Sequence, residues 1–461
     1  MRNPILPKGS LDRRRFIRLG ALGTMLGLPG LLQAGASSGS GKAGRGSEKS
    51  CIFIVQQGGL SQIDSWDMKP DAPAEYRGPL RPIATTVPGI RICEHMPRLA
   101  QMANRYCVIR SMTHRSAGHS DGMHVCLSGH TTPPRDATYF GSILSRVRPT
   151  QRNLPSYVWI QDMESDAGNR HHTGGFLGPA HAPMRIGQGT NNFAAPNFRV
   201  TAFDPALGTT TDDLGRRRQL LNTLDTSQNT GTPAASAARF RQLQERAFDL
   251  TTGPEARQAF DLGAEPTRLR DRYGRHPVGQ NLIVARRLIE AGVRLVSVHA
   301  FTGFDGTTVW PPVVNVWVMH GAPGISIFGN NTYGLPYALP RFDQAVAALL
   351  DDLDARGLLK TTLVVAVGEF GRTPRISGPG PGRDHYPACY SAMLAGAGIR
   401  GGAVYGSSDR IAAFPTDCPV TPEDFGATLL HALDVPPETR LAPDGFTRPA
   451  STGRPILEVF G

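Results

Sequence analysis

The sequence predicts an α/β fold with a mainly parallel central sheet, and three consecutive segments carry this prediction. Leu363–Val367 is an unbroken apolar run rich in β-branched residues, which is typical of a strand buried on both faces, and Val293–Val298 is a second predicted strand. Between them, Leu339–Arg356 repeats apolar residues at i, i+3, i+4 and i+7 like the buried face of a helix, and Gly357 ends it. Because a strand–helix–strand unit joins parallel strands, most of the sheet is expected to be parallel.

The remaining segments are expected to complete one domain over residues 51–461. The chain of 461 residues suffices for one large α/β domain or two smaller ones, and no internal repeat divides it. Further strands are predicted at Cys51–Val55, Cys107–Arg110, Ser156–Ile160 and Phe198–Phe203. Further helices are predicted at Met96–Asn104, Gln280–Glu290 and Thr421–Leu433, the last with Thr421 as N-cap and Pro422 in the first helical position. A charged helical excursion from the sheet is expected at about 212–271.

The N-terminal 36 residues have the pattern of a twin-arginine export signal. Asp12–Arg18 carries consecutive arginines, Leu19–Leu32 is apolar, and Ala34–Ala36 is a plausible cleavage site. Residues 37–50 are rich in Gly, Ser and Lys and are expected to be a flexible linker. We therefore expect a periplasmic or extracellular protein without a stable membrane span after cleavage. An uncleaved anchor is the alternative, although 14 apolar residues fall short of the ~20 that span a bilayer.

The charge of the chain argues against nucleic acid as a partner. Residues 1–36 carry +5 of the formal net charge of +11, so about +6 remains after export. This excess is scattered, without a basic stripe interleaved with aromatic residues, and it favours anionic ligands weakly. The six cysteines contain no CxxC pair, which excludes a zinc ribbon and leaves both disulfides and buried thiols open. The sequence leaves the oligomeric state open.

Charged side chains follow the strand Leu363–Val367 directly. Glu369 and Arg372 come first, and Arg383, Asp384 and His385 follow after a loop rich in Gly and Pro. The carboxyl ends of strands are where open α/β sheets bind ligands, so these residues are candidates for a functional site. The alternative is a salt-bridged loop, because structural ion pairs imitate sites.

Carboxylates, hydroxyls and imidazoles follow the other predicted strands as well. The polar residues after the strand Cys51–Val55 include Ser61 and Asp64. Those after Cys107–Arg110 include His114 and His119, and those after Val293–Val298 include His299, Asp305 and His320. Asp, Glu and His gathered at one sheet edge would bind a divalent metal such as Zn, Ca or Mn. Such an ion polarises an anionic ester and activates water, and Arg372 and Arg383 suit phosphate or sulfate oxygens.

Four motifs carry a resemblance to a known family. They are GGLSQIDSWDMKP at 58–70, GFLG at 175–178, GEFGRTP at 368–374 and GRDH at 382–385. Together with the twin-arginine start, they resemble the exported bacterial domain-of-unknown-function 1501 family over nearly the whole mature chain. That family looks like a branch of the alkaline phosphatase and sulfatase superfamily. The resemblance implies a three-layer α/β/α fold with one or two metal ions in a single alkaline phosphatase-like domain.

The sequence departs from that superfamily at several positions. Gln56 and Gln57 stand where active relatives place aspartates, and a neutral amide cannot offset the charge of a cation. Counting back from Leu127-Ser128-Gly129, in place of the Leu-Thr-Gly of sulfatases, puts His119 at the position of the usual nucleophile. The resemblance further implies metal ligands at Asp305, Glu369 and His385, with His320 displaced by an apparent insertion.

Two functions follow as hypotheses. The first is an exported metal-dependent hydrolase of sulfate or phosphate esters, with an anionic ester or a sulfated glycan as substrate. Its residues would be His119 and Arg372 as catalytic groups, Asp305, His320, Glu369, Asp384 and His385 at the metal, and Ser61, Asp64 and Arg383 at the substrate. The alternative is an exported binding protein with a degenerate site, which the two glutamines and the missing nucleophile favour.

Overall fold

A computed structural model describes most of the chain after residue 47. The described residues are 48–162, 173–188, 191–201, 210–227, 254–302, 317, 319–321, 326–329, 334–378, 380–441 and 448–461. The predicted export signal, most of the linker, Asp305 and much of the helical excursion lie outside these ranges. None of the helices in the described part of the chain combines the length and apolarity that crossing a bilayer requires.

The described residues form fourteen strands and ten α-helices. In chain order the strands are Ser50–Val55 (β1), Pro82–Ala84 (β2), Arg91–Cys93 (β3), Tyr106–Met112 (β4), Tyr157–Asp162 (β5), Met184–Gln188 (β6), Leu295–His299 (β7), Thr362–Val367 (β8), Gly371–Arg372 (β9), His385–Tyr386 (β10), Tyr390–Ala395 (β11), Ala403–Tyr405 (β12), Ser407–Ser408 (β13) and Pro415–Asp417 (β14). The α-helices are Ala74–Arg77 (α1), Pro97–Ala100 (α2), His119–Ser128 (α3), Phe140–Val147 (α4), Thr211–Ser227 (α5), Pro254–Phe260 (α6), Thr267–Tyr273 (α7), Pro277–Glu290 (α8), Leu335–Ala355 (α9) and Pro422–Ala432 (α10). Short 3₁₀ helices occupy Ala103–Arg105, Gly175–Leu177, Pro179–His181, Leu262–Ala264 and Leu457–Val459.

Eight strands form one mainly parallel sheet, which confirms the predicted fold class. Their order is β12-β4-β11-β8-β1-β7-β5-β6. Strand β1 lies between β7 and β8 and is parallel to both, and β5 and β6 continue the parallel set beyond β7. Strand β11 runs antiparallel to both of its neighbours. The carboxyl ends of β8, β1, β7, β5 and β6 therefore lie along one edge of the sheet.

The sheet is covered by helices on both faces, so the fold has three layers. Along β1, Ile52 and Ile54 belong to one apolar core and Cys51, Phe53 and Val55 to the other. The first core includes residues of α8 and α9, and the second includes residues of α3, α4 and α10. This alternation is the period of two that a strand buried on both faces requires.

Several local predictions agree with the structure and others differ. The helix predicted at Met96–Asn104 is limited to Pro97–Ala100 and is followed by a 3₁₀ helix at Ala103–Arg105. Thr421 caps α10 as predicted, because its Oγ accepts the Asp424 N–H at 3.2 Å. Helix α9 begins one turn earlier than predicted and contains Pro340, since its packing offsets the loss of one backbone donor. The strand predicted at Phe198–Phe203 was wrong for residues 198–201, because the Phe198 N–H bonds to the carbonyl of Ala195 in a turn and β6 occupies the sheet edge instead.

Candidate functional site

The candidate site lies where β8 and β1 end. Glu369 follows β8, and the short strands β9 and β10 pair so that Arg372 lies opposite His385. Helix α3 begins at His119 and approaches the same point, since the rings of His119 and His385 lie with centroids 4.3 Å apart. Residues that are far apart in the sequence thus meet at the predicted edge of the sheet.

Glu369 and His119 form a hydrogen-bonded dyad. The Nδ1 atom of His119 lies 2.6 Å from Oε1 of Glu369, whose side chain is 0% exposed, whereas that of His119 is 30% exposed. The Gly58 N–H donates to both carboxylate oxygens, at 2.8 and 3.1 Å. Because the carboxylate only accepts, Nδ1 of His119 carries the hydrogen and Nε2 is left as a base.

His114 is a second histidine on Glu369, and sequence reasoning assigned it no definite role. Its Nε2 lies 2.6 Å from the Glu369 carbonyl oxygen, and its Nδ1 accepts the Ser116 N–H at 3.0 Å. These partners set the neutral tautomer with hydrogen on Nε2. Burial lowers the pKa of His114, so the ring stays neutral and fixes the backbone at Glu369. In the sequence, the position of His114 directly after β4 is the signal that places it at this edge of the sheet.

The imidazoles of His320 and His385 face each other through their Nε2 atoms, which lie 2.9 Å apart. The Nδ1 atom of His320 lies 3.0 Å from Oδ1 of Asp384, and that of His385 lies 2.7 Å from the Ala117 carbonyl oxygen. Both oxygens are acceptors, so each Nδ1 carries the hydrogen and each Nε2 presents a lone pair. Nη1 of Arg372 also lies 3.4 Å from the His320 Nε2 atom.

Asp384 orients His320. Its Oδ2 accepts the Ser377 hydroxyl at 3.1 Å, and its backbone exchanges hydrogen bonds with Thr373. Histidine ligands in proteins commonly donate their second N–H to such a carboxylate, which fixes the tautomer and the ring orientation. Asp384 was predicted as a metal ligand. In the structure its carboxylate accepts the Nδ1 hydrogen of His320, on the side of the ring away from Nε2.

Arg372 is fully buried and its donors are occupied by the protein. Its five N–H groups have five acceptors: the carbonyl oxygens of Gly58, Gly59, Trp317 and Arg383 and Nε2 of His320. Burial lowers the pKa of Arg372 to about 10, although the charges of Glu369 and Asp384 oppose the shift. Four of these acceptors are backbone carbonyls and the fifth is the His320 lone pair, so the Nη1 hydrogen that contacts His320 at 3.4 Å is the one donor that a substrate anion would have to take over if Arg372 binds it as predicted.

The charge of Arg372 acts on the two facing imidazoles. Burial, followed by the nearby guanidinium of Arg372, lowers the pKa of His320. The same two causes, with His119 as the next contributor, lower the pKa of His385 to about 4. Both rings are therefore neutral at physiological pH, which is the form that binds metal ions.

Ser61, Asp64 and Arg383 lie together but away from solvent. Arg383 Nε and Nη2 donate to the two carboxylate oxygens of Asp64, at 2.6 and 2.9 Å, and both side chains are 0% exposed. The Ser61 hydroxyl donates to the same carboxylate at 2.6 Å. Since these groups satisfy each other in the interior, the substrate-binding role predicted for them does not fit their placement. They form a buried ion pair that fixes the loop after β1 against the loop before β10.

Two glutamines follow β1 at the positions where the sequence analysis noted amides in place of aspartates. Gln56 and Gln57 follow β1 and are buried, at 1% and 0% exposure. Gly59 has φ of +81°, and a Cβ there would lie 2.8 Å from the Phe370 carbonyl oxygen, so only glycine allows this close approach. Asp305 lies outside the described residues, and its role stays a prediction.

The described residues supply two of the donor atoms that a divalent ion would need. Among the described residues, no three or more His, Cys, Asp or Glu side chains are grouped so that they could hold a metal ion. The facing Nε2 atoms of His320 and His385 supply two converging nitrogen donors, with oxygens behind both rings. Glu369 was predicted as a metal ligand, and in the structure its oxygens accept hydrogen bonds from His119 and from the Gly58 N–H.

Comparison with known proteins gives the family. The model of the family described as "Protein of unknown function (DUF1501)" matches residues 48–460, so the chain belongs to that family. No curated protein matches the chain.

Solved structures to which the chain is similar include hydrolases. Phosphonate monoester hydrolase SpPMH from Silicibacter pomeroyi aligns with 89% of this chain and 76% of its own, at 10% identity and a TM-score of 0.38. The PsFucS1 sulfatase from Pseudoalteromonas sp. aligns with 87% of this chain and 73% of its own, at 15% identity and a TM-score of 0.33. A protein in the alkaline phosphatase superfamily from Vibrio parahaemolyticus aligns with 85% of this chain and 67% of its own, at 11% identity and a TM-score of 0.35. No function is transferred from similarities of this size.

Proposed function

We propose that this protein is an exported, metal-dependent hydrolase of sulfate or phosphate esters. The observation that carries the proposal is the pair of facing Nε2 atoms of His320 and His385, 2.9 Å apart, beside the dyad of His119 and Glu369. Two neutral lone pairs at this distance repel each other unless a proton or a cation lies between them. The lowered pKa values of both rings disfavour the proton.

His320 and His385 would hold a divalent ion, with the predicted Asp305 as a further ligand. Zn, Mn or Ca is the candidate ion, and the two nitrogen donors favour Zn or Mn over Ca. A bound ion at this point would supply Lewis acidity toward an ester oxygen. Ala117 and Asp384 would hold the two rings in the binding tautomer.

The dyad supplies the base. Nε2 of His119 accepts the proton of the attacking water while the water oxygen bonds to sulfur or phosphorus. The Glu369 carboxylate, held by Gly58, stabilises the imidazolium that forms and keeps Nε2 directed to the reacting atoms. The bond between the ester oxygen and sulfur or phosphorus breaks, and the leaving alkoxide takes a proton from solvent.

Arg372 would act at a distance. Its buried positive charge is stabilised by hydrogen bonds to carbonyl oxygens. Because these acceptors are neutral, they do not cancel the charge, and its electric field reaches His320. This field favours an anionic substrate and keeps the imidazoles neutral. Arg372 is therefore a positioning residue in this proposal.

The test is turnover by the purified full-length mature chain supplied with Zn, Mn or Ca. We expect release of para-nitrophenol from para-nitrophenyl sulfate or phosphate, and loss of release after chelation and in the His119→Ala variant. Turnover that is equal in wild type and His119→Ala would overturn the assignment of the base. The absence of turnover with each of these ions and both esters would contradict the proposed hydrolase function.

A binding protein with a decayed site is the second candidate. The buried Gln56 and Gln57 favour it, because amides at the end of β1 cannot compensate a second cation. This candidate predicts retention of an anionic ester or sulfated glycan without turnover. Both candidate functions include export by the twin-arginine route. If this route is used, replacing Arg13 and Arg14 by Lys should leave the protein in the cytoplasm.

A further inference from the structure

Gln62 is a buried polar residue of the motif at 58–70, and the proposed reaction gives it no role. It is 0% exposed, and its side chain makes three hydrogen bonds. Its Oε1 accepts the Arg372 N–H at 2.9 Å, and its Nε2 donates to the carbonyl oxygens of Arg372 at 2.9 Å and Ala412 at 3.0 Å. The amide thus exchanges hydrogen bonds with both backbone groups of Arg372, as a residue on a neighbouring strand would.

Strand β9 is therefore held from two sides. On one side it pairs with β10, where Arg372 lies opposite His385. On the other side Gln62 packs so closely that a Cβ on Gly371 would collide with its Oε1. Because β9 and β10 have two residues each, their pairing alone is too short to fix their position. Gln62 supplies the second line of contacts that this short ribbon needs.

The loop that carries Gln62 also binds the side chains that follow β8. The Gly58 N–H donates to the Glu369 carboxylate. The carbonyl oxygens of Gly58 and Gly59 accept hydrogen bonds from the Arg372 guanidinium. Residues 58–62 thus hold the carboxylate of the dyad, the buried guanidinium and the backbone that pairs with β10. One segment sets the relative position of all three.

His385 depends on this ribbon for its place in the site. Its ring lies with centroid distances of 4.3 Å to His119, 4.6 Å to Phe370 and 4.7 Å to His320. Since β10 is paired with β9, a displacement of β9 would move the His385 ring and change these distances. A displacement of about 1 Å in a reacting or binding group can cost on the order of 10²-fold in rate.

We propose that Gln62 is a positioning residue that fixes His385 against His119 and His320 through the backbone of Arg372. An amide suits this role because it both donates and accepts, whereas the carboxylate of Glu only accepts and the thioether of Met does not donate. The effect on kinetics rests on the proposed hydrolase function. The effect on the position of His385 does not depend on turnover.

Gln62→Met tests the proposal, because it nearly keeps the volume of the side chain and removes its hydrogen bonds. The matched control is Gln280→Met on α8. Gln280 is also 0% exposed and makes three hydrogen bonds, to Arg270 and Gly274, none of which belongs to the site. Gln62→Asn, whose amide is withdrawn by one methylene, is the milder variant in case Met prevents folding. Circular dichroism verifies folding of each variant.

The first measurement is nuclear magnetic resonance of the full-length mature chain labelled with ¹³C in its histidine rings. We expect the ring signals of His119 and His385 to shift in Gln62→Met, because the ring currents of neighbouring aromatic groups depend on their separation. Gln62→Asn should shift them less, and Gln280→Met should leave them at their wild-type positions. Unshifted signals in the folded Gln62 variants, or equal shifts in the control, would overturn the proposal.

The second measurement is steady-state kinetics on para-nitrophenyl sulfate or phosphate. In Gln62→Met, kcat should fall about tenfold or more with KM within about twofold, whereas Gln280→Met should keep both constants within about twofold. Turnover with unshifted His119 and His385 signals in Gln62→Met would overturn the positioning role and leave the hydrolase intact. Shifted signals in a protein without turnover would support the positioning role and contradict the hydrolase.

Discussion

The Nε2 atoms of His320 and His385 lie 2.9 Å apart, although each ring already donates its Nδ1 hydrogen to an oxygen. This relationship joins two residues 65 positions apart, one before α9 and one in β10. It presents two lone pairs to one point, beside a buried carboxylate–imidazole dyad.

Replacing Glu369 by Gln should impair chemistry more than substrate binding. The amide cannot stabilise the imidazolium of His119, so kcat should fall by about 10²-fold or more with little change in KM. Steady-state kinetics on an aryl ester measure this split. Glu458→Gln, an exposed change of the same kind, should leave kcat unaltered. A kcat within about twofold of wild type would contradict the role of the dyad.

Replacing Arg372 by Lys should destabilise the protein. An ammonium has three donors and cannot serve the five acceptors that surround the buried guanidinium, so several buried carbonyls lose their partners. We expect a loss of about 2–4 kcal/mol in the free energy of unfolding by urea denaturation. Arg375→Lys, at an exposed position three residues later, should change it by less than about 0.5 kcal/mol. Equal stabilities for the two variants would contradict this account.

Replacing Asp64 by Asn separates a structural role from a substrate role. The change leaves the Arg383 guanidinium buried without a carboxylate, and we expect a loss of about 3–5 kcal/mol of unfolding free energy. KM per folded molecule should stay within about twofold, because neither side chain is exposed. A large rise in KM with unchanged stability would restore the substrate-binding role predicted from the sequence.

Acid should destabilise the protein through buried histidines. Burial lowers the pKa of both His276 and His299 from 6.5 to about 4. The unfolded chain binds these protons first, so stability is full above pH 6.5 and is lost as the pH falls toward 4, by at most roughly 3 kcal/mol per residue. Asp343, whose pKa burial raises to about 6, opposes this trend over part of the range. Urea unfolding across pH 4–6.5 should show a smaller slope in His299→Gln, and an unchanged slope would contradict the assignment.

Much of the fold was predictable because the central strands are continuous apolar runs and α9 has a clear helical period. These patterns require a sheet buried on both faces, and the carboxyl ends of parallel strands then meet at one edge. The convergence of His119, His320, Glu369 and His385 follows from that rule. The sequence therefore predicted that these side chains lie close together, even though it did not assign the partner of each one.

The roles of individual side chains were less predictable, because they depend on burial and on long-range partners. Arg372 and Arg383 look alike in the sequence, yet one donates to carbonyls and the other pairs with Asp64, 319 residues away. The hydrogen bonds that Glu369 accepts from the Gly58 N–H and from His119 likewise join residues 311 and 250 positions apart. No local spacing encodes these choices.

Metal titration tests the central claim most directly. Chelator-treated wild-type protein should bind one divalent ion per chain when titrated with Zn²⁺ or Mn²⁺, with release of heat and a gain in thermal stability. His385→Ala should lose this binding because it removes one of the two converging nitrogens, whereas the exposed His431→Ala should retain it. Wild type that binds no ion, or His385→Ala that binds as tightly as wild type, would contradict the account.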